Sequence, residues 1–131
     1  MSKESGIYKE ITLRELSQLR NLQREIRLDT ERLNRLDVTL YPSVRLNPER
    51  AALAPYAAEI RETIRDKRAR CIRERLRLER YIASVDDSLV RMAMTLRFLE
   101  GMHWQAVAMR IGGGNTEDSV KKMVYRYIRR H

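Results

Sequence analysis

Lys121, Lys122, Tyr125, Arg126, Arg129 and Arg130 carry the chemistry most plainly written in this sequence. Cations at helical spacing hold phosphate oxygens by charge, and lysine or arginine also donates to the acceptor edges of bases. Val120, Met123, Val124, Tyr127 and Ile128 recur at the spacing of one helix face, so the apolar side turns inward and the cations outward. Just upstream, Asn115 or Thr116 can cap such a helix, and Glu117 and Asp118 fall in its first turn, where negative charge suits the dipole. A carboxylate there can also accept from a cytosine amino group. The candidate DNA-contacting set is therefore Thr116, Glu117, Asp118, Lys121, Lys122, Tyr125, Arg126, Arg129 and Arg130.

A helix of this kind needs neighbours to cover its apolar side, and the residues before it supply two. Asp86, Asp87 and Ser88 are short acceptors suited to a helix start, ahead of an apolar series Leu89, Met92, Ala93, Leu96 and Leu99 that ends at Gly101. A second segment, His103 to Ile111, places Trp104, Val107, Ala108 and Ile111 on one stripe. It is too short to bury its own face and must pack on other helices. Gly112, Gly113 and Gly114 end it abruptly. Short helix, glycine turn and cationic helix together have the form of a helix-turn-helix, in which the second helix enters the major groove.

Residues 86 to 131 resemble region 4 of bacterial sigma factors, and especially small phage-encoded regulators with that fold. The resemblance rests on Leu96-Arg97-Phe98-Leu99-Glu100-Gly101, Trp104-Gln105-Ala106-Val107-Ala108, Ile111-Gly112 and Thr116-Glu117-Asp118-Ser119-Val120. It implies a transcriptional regulator of phage or prophage origin, acting on double-stranded DNA in the cytoplasm of a bacterial host, at the nucleoid. It also implies a helical region ahead of the DNA-binding head, with RNA polymerase or another regulator as a further partner. Two departures stand out: the turn has extra glycine and asparagine, and carboxylates hold Glu117 and Asp118, where the sigma pattern often has a cation.

Composition agrees with a polyanionic partner. The chain has 131 residues, with 27 Lys and Arg against 18 Asp and Glu, a net charge of +9. Aromatic residues are only 6%, too few for a platform that stacks single-stranded bases. The single cysteine, Cys71, forbids an internal disulfide and fits a reducing cytoplasm. No apolar run is long enough to cross a membrane, and the first residues lack a signal-peptide core.

Upstream, the sequence predicts a long amphipathic helix from Ile7 to about Leu40, roughly 50 Å long. Leu13, Leu16, Leu19, Leu22, Ile26, Leu33, Leu36 and Leu40 form its stripe, interrupted by Asp29. Pro42, Pro48 and Pro55 mark a turn over residues 41–55, with a short helix over 48–54. A second long helix follows from Pro55 to about Val85, with Ile60, Ile64, Cys71, Leu78, Ile82 and Val85 on one face. Nine cations and four acids lie between Arg61 and Arg80, mostly at spacings that pair them on a solvated face. Arg65, Arg68, Arg73 and Arg77 are the ones placed to follow phosphates or an acidic partner.

The expectation is an all-α protein, with residues 1–85 a coiled-coil-like antiparallel hairpin that pairs two copies as a homodimer, and 86–131 a three-helix head. No nucleophile–base pair, carboxylate dyad or phosphate-cradling loop is present, so neither enzymatic activity nor a cofactor is expected. His103 and His131 have no companions at metal-ligand spacing. Two rival readings are a small terminase subunit for DNA packaging and a protein-binding antirepressor or RNA polymerase adaptor. In the former family the DNA-binding unit usually comes first, the reverse of the order here. The latter uses the hairpin as its working surface.

Overall fold

The computed structural model describes residues 11–40 and 48–130. Among them every regular element is helical: α1 Leu13–Ser17, α2 Leu19–Leu40, α3 Pro48–Ala83, α4 Ser88–Met94, a π-helical turn Thr95–Leu99, α5 Trp104–Ile111 and α6 Glu117–Arg130. None of these helices is long and apolar enough to cross a membrane. His131 and residues 1–10 and 41–47 lie outside the described residues, and with them the expected start at Ile7 and the first seven residues of the expected turn.

The first long helix does not run unbroken as its composition suggests. Thr12 opens α1 with a capping box: its hydroxyl accepts from the Glu15 N–H at 3.2 Å, and the Glu15 carboxylate accepts from the Thr12 N–H at 3.2 Å. At Gln18 the chain tightens, its N–H turning to the Glu15 carbonyl at 3.0 Å. The Ser17 hydroxyl donates back to the Leu13 carbonyl at 2.8 Å, a bond that bends helices. The tighter step brings both Leu16 and Leu19 to complete burial. Conversely, α3 is longer than predicted. It begins at Pro48, whose missing N–H is unneeded in a first turn, and continues through Pro55 into one 36-residue helix. The flanking Ala51, Ala52, Ala54, Ala57 and Ala58 are the strongest helix formers, and they offset the backbone bond that Pro55 removes.

Packing divides the chain into two compact units, and the division does not follow the cut at residue 85 that the sequence suggests. One unit is Leu22–Glu74. In the other, residues 11–21 join residues 75–130. The reason is the shortage of apolar surface in three short helices. Leu16, Leu19, Leu78, Tyr81, Ile82 and Val85 complete a core that also holds Val90, Ala93, Met94, Phe98, Trp104, Val107, Ala108, Val120, Val124 and Ile128. Polar links reinforce it: Arg77 Nη2 donates to Glu15 Oε2 at 2.6 Å, and Arg20 Nη1 donates to the Leu99 carbonyl at 3.3 Å. Burial pushes the Tyr81 phenol up to about 12, with the neighbouring Tyr127 adding to the effect.

The inward face of α4 also differs from the sequence expectation. Of the three short acceptors expected at its start, Asp87 is the one that caps the helix, its Oδ1 accepting from the Leu89 and Val90 N–H groups at 2.9 and 3.2 Å. The buried stripe, however, is Val90, Ala93, Met94 and Phe98, while Met92 is 49% exposed and Leu89, Leu96 and Leu99 are half-buried. Two apolar stripes share this helix, and the π-helical turn carries the buried one on to Phe98. Its wider turn, with the Glu100 N–H reaching the Thr95 carbonyl, rotates Phe98 squarely inward and leaves Arg97 at the margin.

Within Leu22–Glu74 the apolar core is small, with Leu33 and Ile64 buried and Leu22, Ile26, Leu36 and Cys71 half-buried. Ile60, expected on the buried face, is 49% exposed, as are Leu28 at 51% and Tyr56 at 65%. Asp29 interrupts the apolar stripe and yet is wholly buried. Its Oδ1 lies 3.1 Å from Lys67 Nζ and 3.6 Å from Arg32 Nη1, and Lys67 also meets Glu25 at 3.3 Å. The Lys67 side chain is itself only partly enclosed, at 35% exposure. The hydrogen bond to Asp29 outweighs partial desolvation and raises the Lys67 pKa.

Two outcomes follow from these buried groups. Lys67→Met strands the Asp29 charge and lowers stability, at the low end of about 3–5 kcal/mol because Arg32 stays close. Adding Asp29→Leu recovers most of that loss, as urea denaturation of the single and double variants checks. For Tyr81 the folded pKa lies above the unfolded one, so its contribution is complete below pH 10 and lost as pH rises through about 12. Tyr81→Phe therefore retains more of its stability than the parent across that window in alkaline unfolding.

Candidate nucleic-acid interface

The final two helices are fixed by backbone geometry before any side chain faces solvent. α5 stops at Gly112, whose φ of 70° and ψ of −151° belong to a region open essentially to glycine alone. Although the turn contains three glycines, it is pinned. Asn115 closes it, donating from its side-chain amide to the Gly112 carbonyl at 2.8 Å. Thr116 then caps α6: its hydroxyl accepts from the Ser119 N–H at 3.1 Å, while the Ser119 hydroxyl accepts from the Thr116 N–H at 2.8 Å. Thr116 is thus occupied with the helix start, and Ser119 is a reciprocal cap that the sequence reading missed. A Ser three residues after a Thr was the available signal.

Trp104 sets the packing of α6 against its neighbours. Its ring meets Phe98 edge-on at 6.3 Å and Tyr125 edge-on at 6.0 Å. The Arg97 guanidinium lies over it at 5.0 Å and donates to the Met102 carbonyl at 3.0 Å, holding the loop before α5. Tyr125, expected on the open face, is therefore half-buried against the core, and Lys121 lies 5.7 Å over its ring. The Tyr127 hydroxyl turns toward Asp86, and its pKa is raised first by burial and then by that carboxylate.

What α6 leaves outward is a compact charged face. Lys122, Arg126, Arg129 and Arg130 are all exposed, with Glu117 and Asp118 exposed at its start. Asp118 and Lys122 pair across one turn at 3.5 Å, both largely in solvent. Such a pair is weakly held, so its cation can exchange partners. Ser119, Lys122, Arg126 and Arg130 also edge a groove of about 400 Å³ with Asp87, Val90, Met123 and Tyr127. Of the residues expected to contact DNA, the structure brings Asp118, Lys122, Arg126, Arg129 and Arg130 onto one face. Lys121 and Tyr125 flank it, and Thr116 serves the backbone.

Elsewhere, the four arginines singled out on α3 separate by environment. Arg68 donates to Thr30 at 3.2 Å and Arg77 is held by Glu15, while Arg65 and Arg73 are exposed. Cys71 is half-buried, and burial pushes its thiol pKa up, away from the thiolate needed for nucleophilic work. No group of three His, Cys, Asp or Glu side chains among the described residues could hold a metal ion.

Comparison of the chain with protein-family models, with curated proteins and with solved structures gives no match.

Since Gly112 occupies a conformation closed to residues with a Cβ, Gly112→Ala costs about 1–3 kcal/mol even though nothing crowds the position. The loss is read as a lower melting temperature, and a variant as stable as the parent refutes the assignment of strain to this residue.

Proposed function

We propose that this protein is a sequence-specific, double-stranded DNA-binding transcriptional regulator whose α5–turn–α6 segment acts as a helix-turn-helix. One observation carries the reading: α6 buries Val120, Val124 and Ile128 and turns Lys122, Arg126, Arg129 and Arg130 outward together. A recognition helix needs that division, with its apolar side fixed by the preceding helix and its cations free to meet a polyanion. The net charge of +9 supports the same partner.

In this mechanism Lys122, Arg126 and Arg129 anchor α6 on phosphates and base edges in the major groove. Arg130 adds to the phosphate grip at the far end. Lys121 and Tyr125 act from the flank, the ring limiting where the ammonium can reach. Asp118 holds Lys122 in the absence of DNA and yields it to a phosphate on docking, and Glu117 with Asp118 tunes which bases are accepted, by accepting from cytosine amino groups. No step involves a bond made or broken, and none involves a cofactor. The sigma-region-4 resemblance of residues 86 to 131 supports the regulatory role and a phage or prophage origin.

The helices before residue 85 serve, in this reading, as an antiparallel hairpin that joins two copies and so pairs two heads on spaced half-sites. Leu28, Tyr56 and Ile60, large apolar residues left exposed, support such a role.

The test is selection of bound duplexes from a random pool at about 0.15 M salt, where attraction to the backbone alone is screened. An enriched motif is the expected result, and its symmetry reports how the heads are paired. Binding without enrichment that fades with salt overturns the sequence-reading claim. The double variant Lys122→Glu with Arg126→Glu is expected to lose binding to the selected site while keeping its helical circular dichroism. Each phosphate contact removed lowers the salt slope by about 0.9.

A further inference from the structure

An open groove on the unit formed by residues 11–21 and 75–130 is not used by the DNA-binding reading. Ile82, Ala83, Met92, Leu96, Leu99 and Ile111 make its floor, and it has a volume of about 740 Å³. No residue of α6 lines it. Met92 of α4 and Leu96 and Leu99 of the π-helical turn, none of them among the buried residues, bring the second apolar stripe to this floor. Met92 is 49% exposed there, which costs free energy in a monomer and is recovered when a partner covers it. Thr95, Leu96 and Leu99 of the π-helical turn itself line the groove, and single π-helical turns occur often where helices meet ligands.

The rim decides the chemistry of the occupant. Three charged residues stand on it: Glu79, Arg91 and Arg110. Glu79 is already paired with Arg75 at 3.2 Å, so its charge is compensated within α3. Arg91 donates to a neutral acceptor, the Val85 carbonyl, at 2.6 Å. Arg110 is exposed, and no carboxylate among the described residues pairs with either arginine. The groove therefore presents an apolar floor under two uncompensated cations. A second copy of this chain, itself at +9, is a poor match for that rim.

We propose that this groove docks an amphipathic helix of a partner protein, its apolar face on Met92, Leu96, Leu99 and Ile111 and its flanking carboxylates on Arg91 and Arg110. Such a helix lays side chains at i, i+3, i+4 and i+7 into the floor. Charged groups at the rim add selectivity more than affinity.

The probe is a synthetic helical peptide with leucines at that spacing and glutamates on both flanks, compared with the same peptide carrying lysines instead. Fluorescence anisotropy with the full chain is expected to show binding of the acidic peptide, about five- to tenfold tighter than the basic one. Arg110→Glu is expected to shrink or invert that preference. Met92→Glu is expected to weaken acidic-peptide binding by about tenfold or more, with its melting temperature close to the parent's because the residue is exposed. Binding of selected duplex DNA by both variants stays near the parent's, which separates failure of this proposal from failure of the DNA-binding reading. Equal binding of the two peptides, or of neither, overturns the proposal. So does dissociation of a homodimer by Met92→Glu in light scattering, because the occupant is then a second copy.

Discussion

The packing of Trp104 is the interaction on which the terminal helices depend. Helices of seven, five and eight residues cannot persist by themselves in water, because too few backbone bonds form to offset the ordering of each nucleus. One indole, on α5, touches Phe98 from the π-helical turn and Tyr125 from α6, and so ties two of these short elements to the longer terminal helix. Arg97 closes the ring from above and fixes the loop that starts α5. The direction in which α6 presents its cations is thereby set from inside the core.

Burial alone could not finish that core. Residues 11–21 and 75–85 lie far from the terminal helices in sequence, yet Leu16, Leu19, Leu78 and Ile82 are as completely enclosed as Val107 or Val120. Their contribution explains why α1 is capped and kinked: the capping box starts a helix short enough to turn at Gln18 and seat two leucines in succession. The Glu15–Arg77 bond then ties α1 to α3 with one charged pair near the surface. The Leu22–Glu74 unit solves a different problem. With few apolar side chains to bury, it encloses a carboxylate and sets a lysine beside it, which favours one pairing of the helices over slipped ones because any slip takes Lys67 away and leaves Asp29 only the longer contact to Arg32.

Apolar and cationic residues are both divided between structural and outward duties. Arg97, Arg20 and Arg77 donate within the fold, while Lys122, Arg126, Arg129 and Arg130 face water. On α4 the same division holds for apolar residues, with Phe98 and Met94 enclosed and Met92 left in the open groove. The DNA-binding and helix-docking proposals draw on separate outward sets, so one head could hold DNA and a partner together.

The sequence by itself determined the helical character of the chain, the helix starts at the short acceptors of 86–88 and 115–116, the glycine stops at 101 and 112–114, and the cation-rich side of α6. These are local matters, decided by hydrogen bonds and periodicity over a turn or two, and they are legible residue by residue. Tertiary structure alone decided the rest. It chose Val90, Met94 and Phe98 over Leu89, Met92 and Leu99 as the buried stripe, because both patterns fit a helix and only a packed neighbour can select one. It drew Tyr125 from the exposed face to the flank of Trp104, broke the first helix at Gln18, and carried α3 through Pro55. It also buried Asp29, which reads as a flaw in an apolar stripe until Lys67, distant in sequence, is brought beside it. Long-range pairing of this kind leaves no periodic trace along the chain, since what each residue meets depends on where the other helices lie.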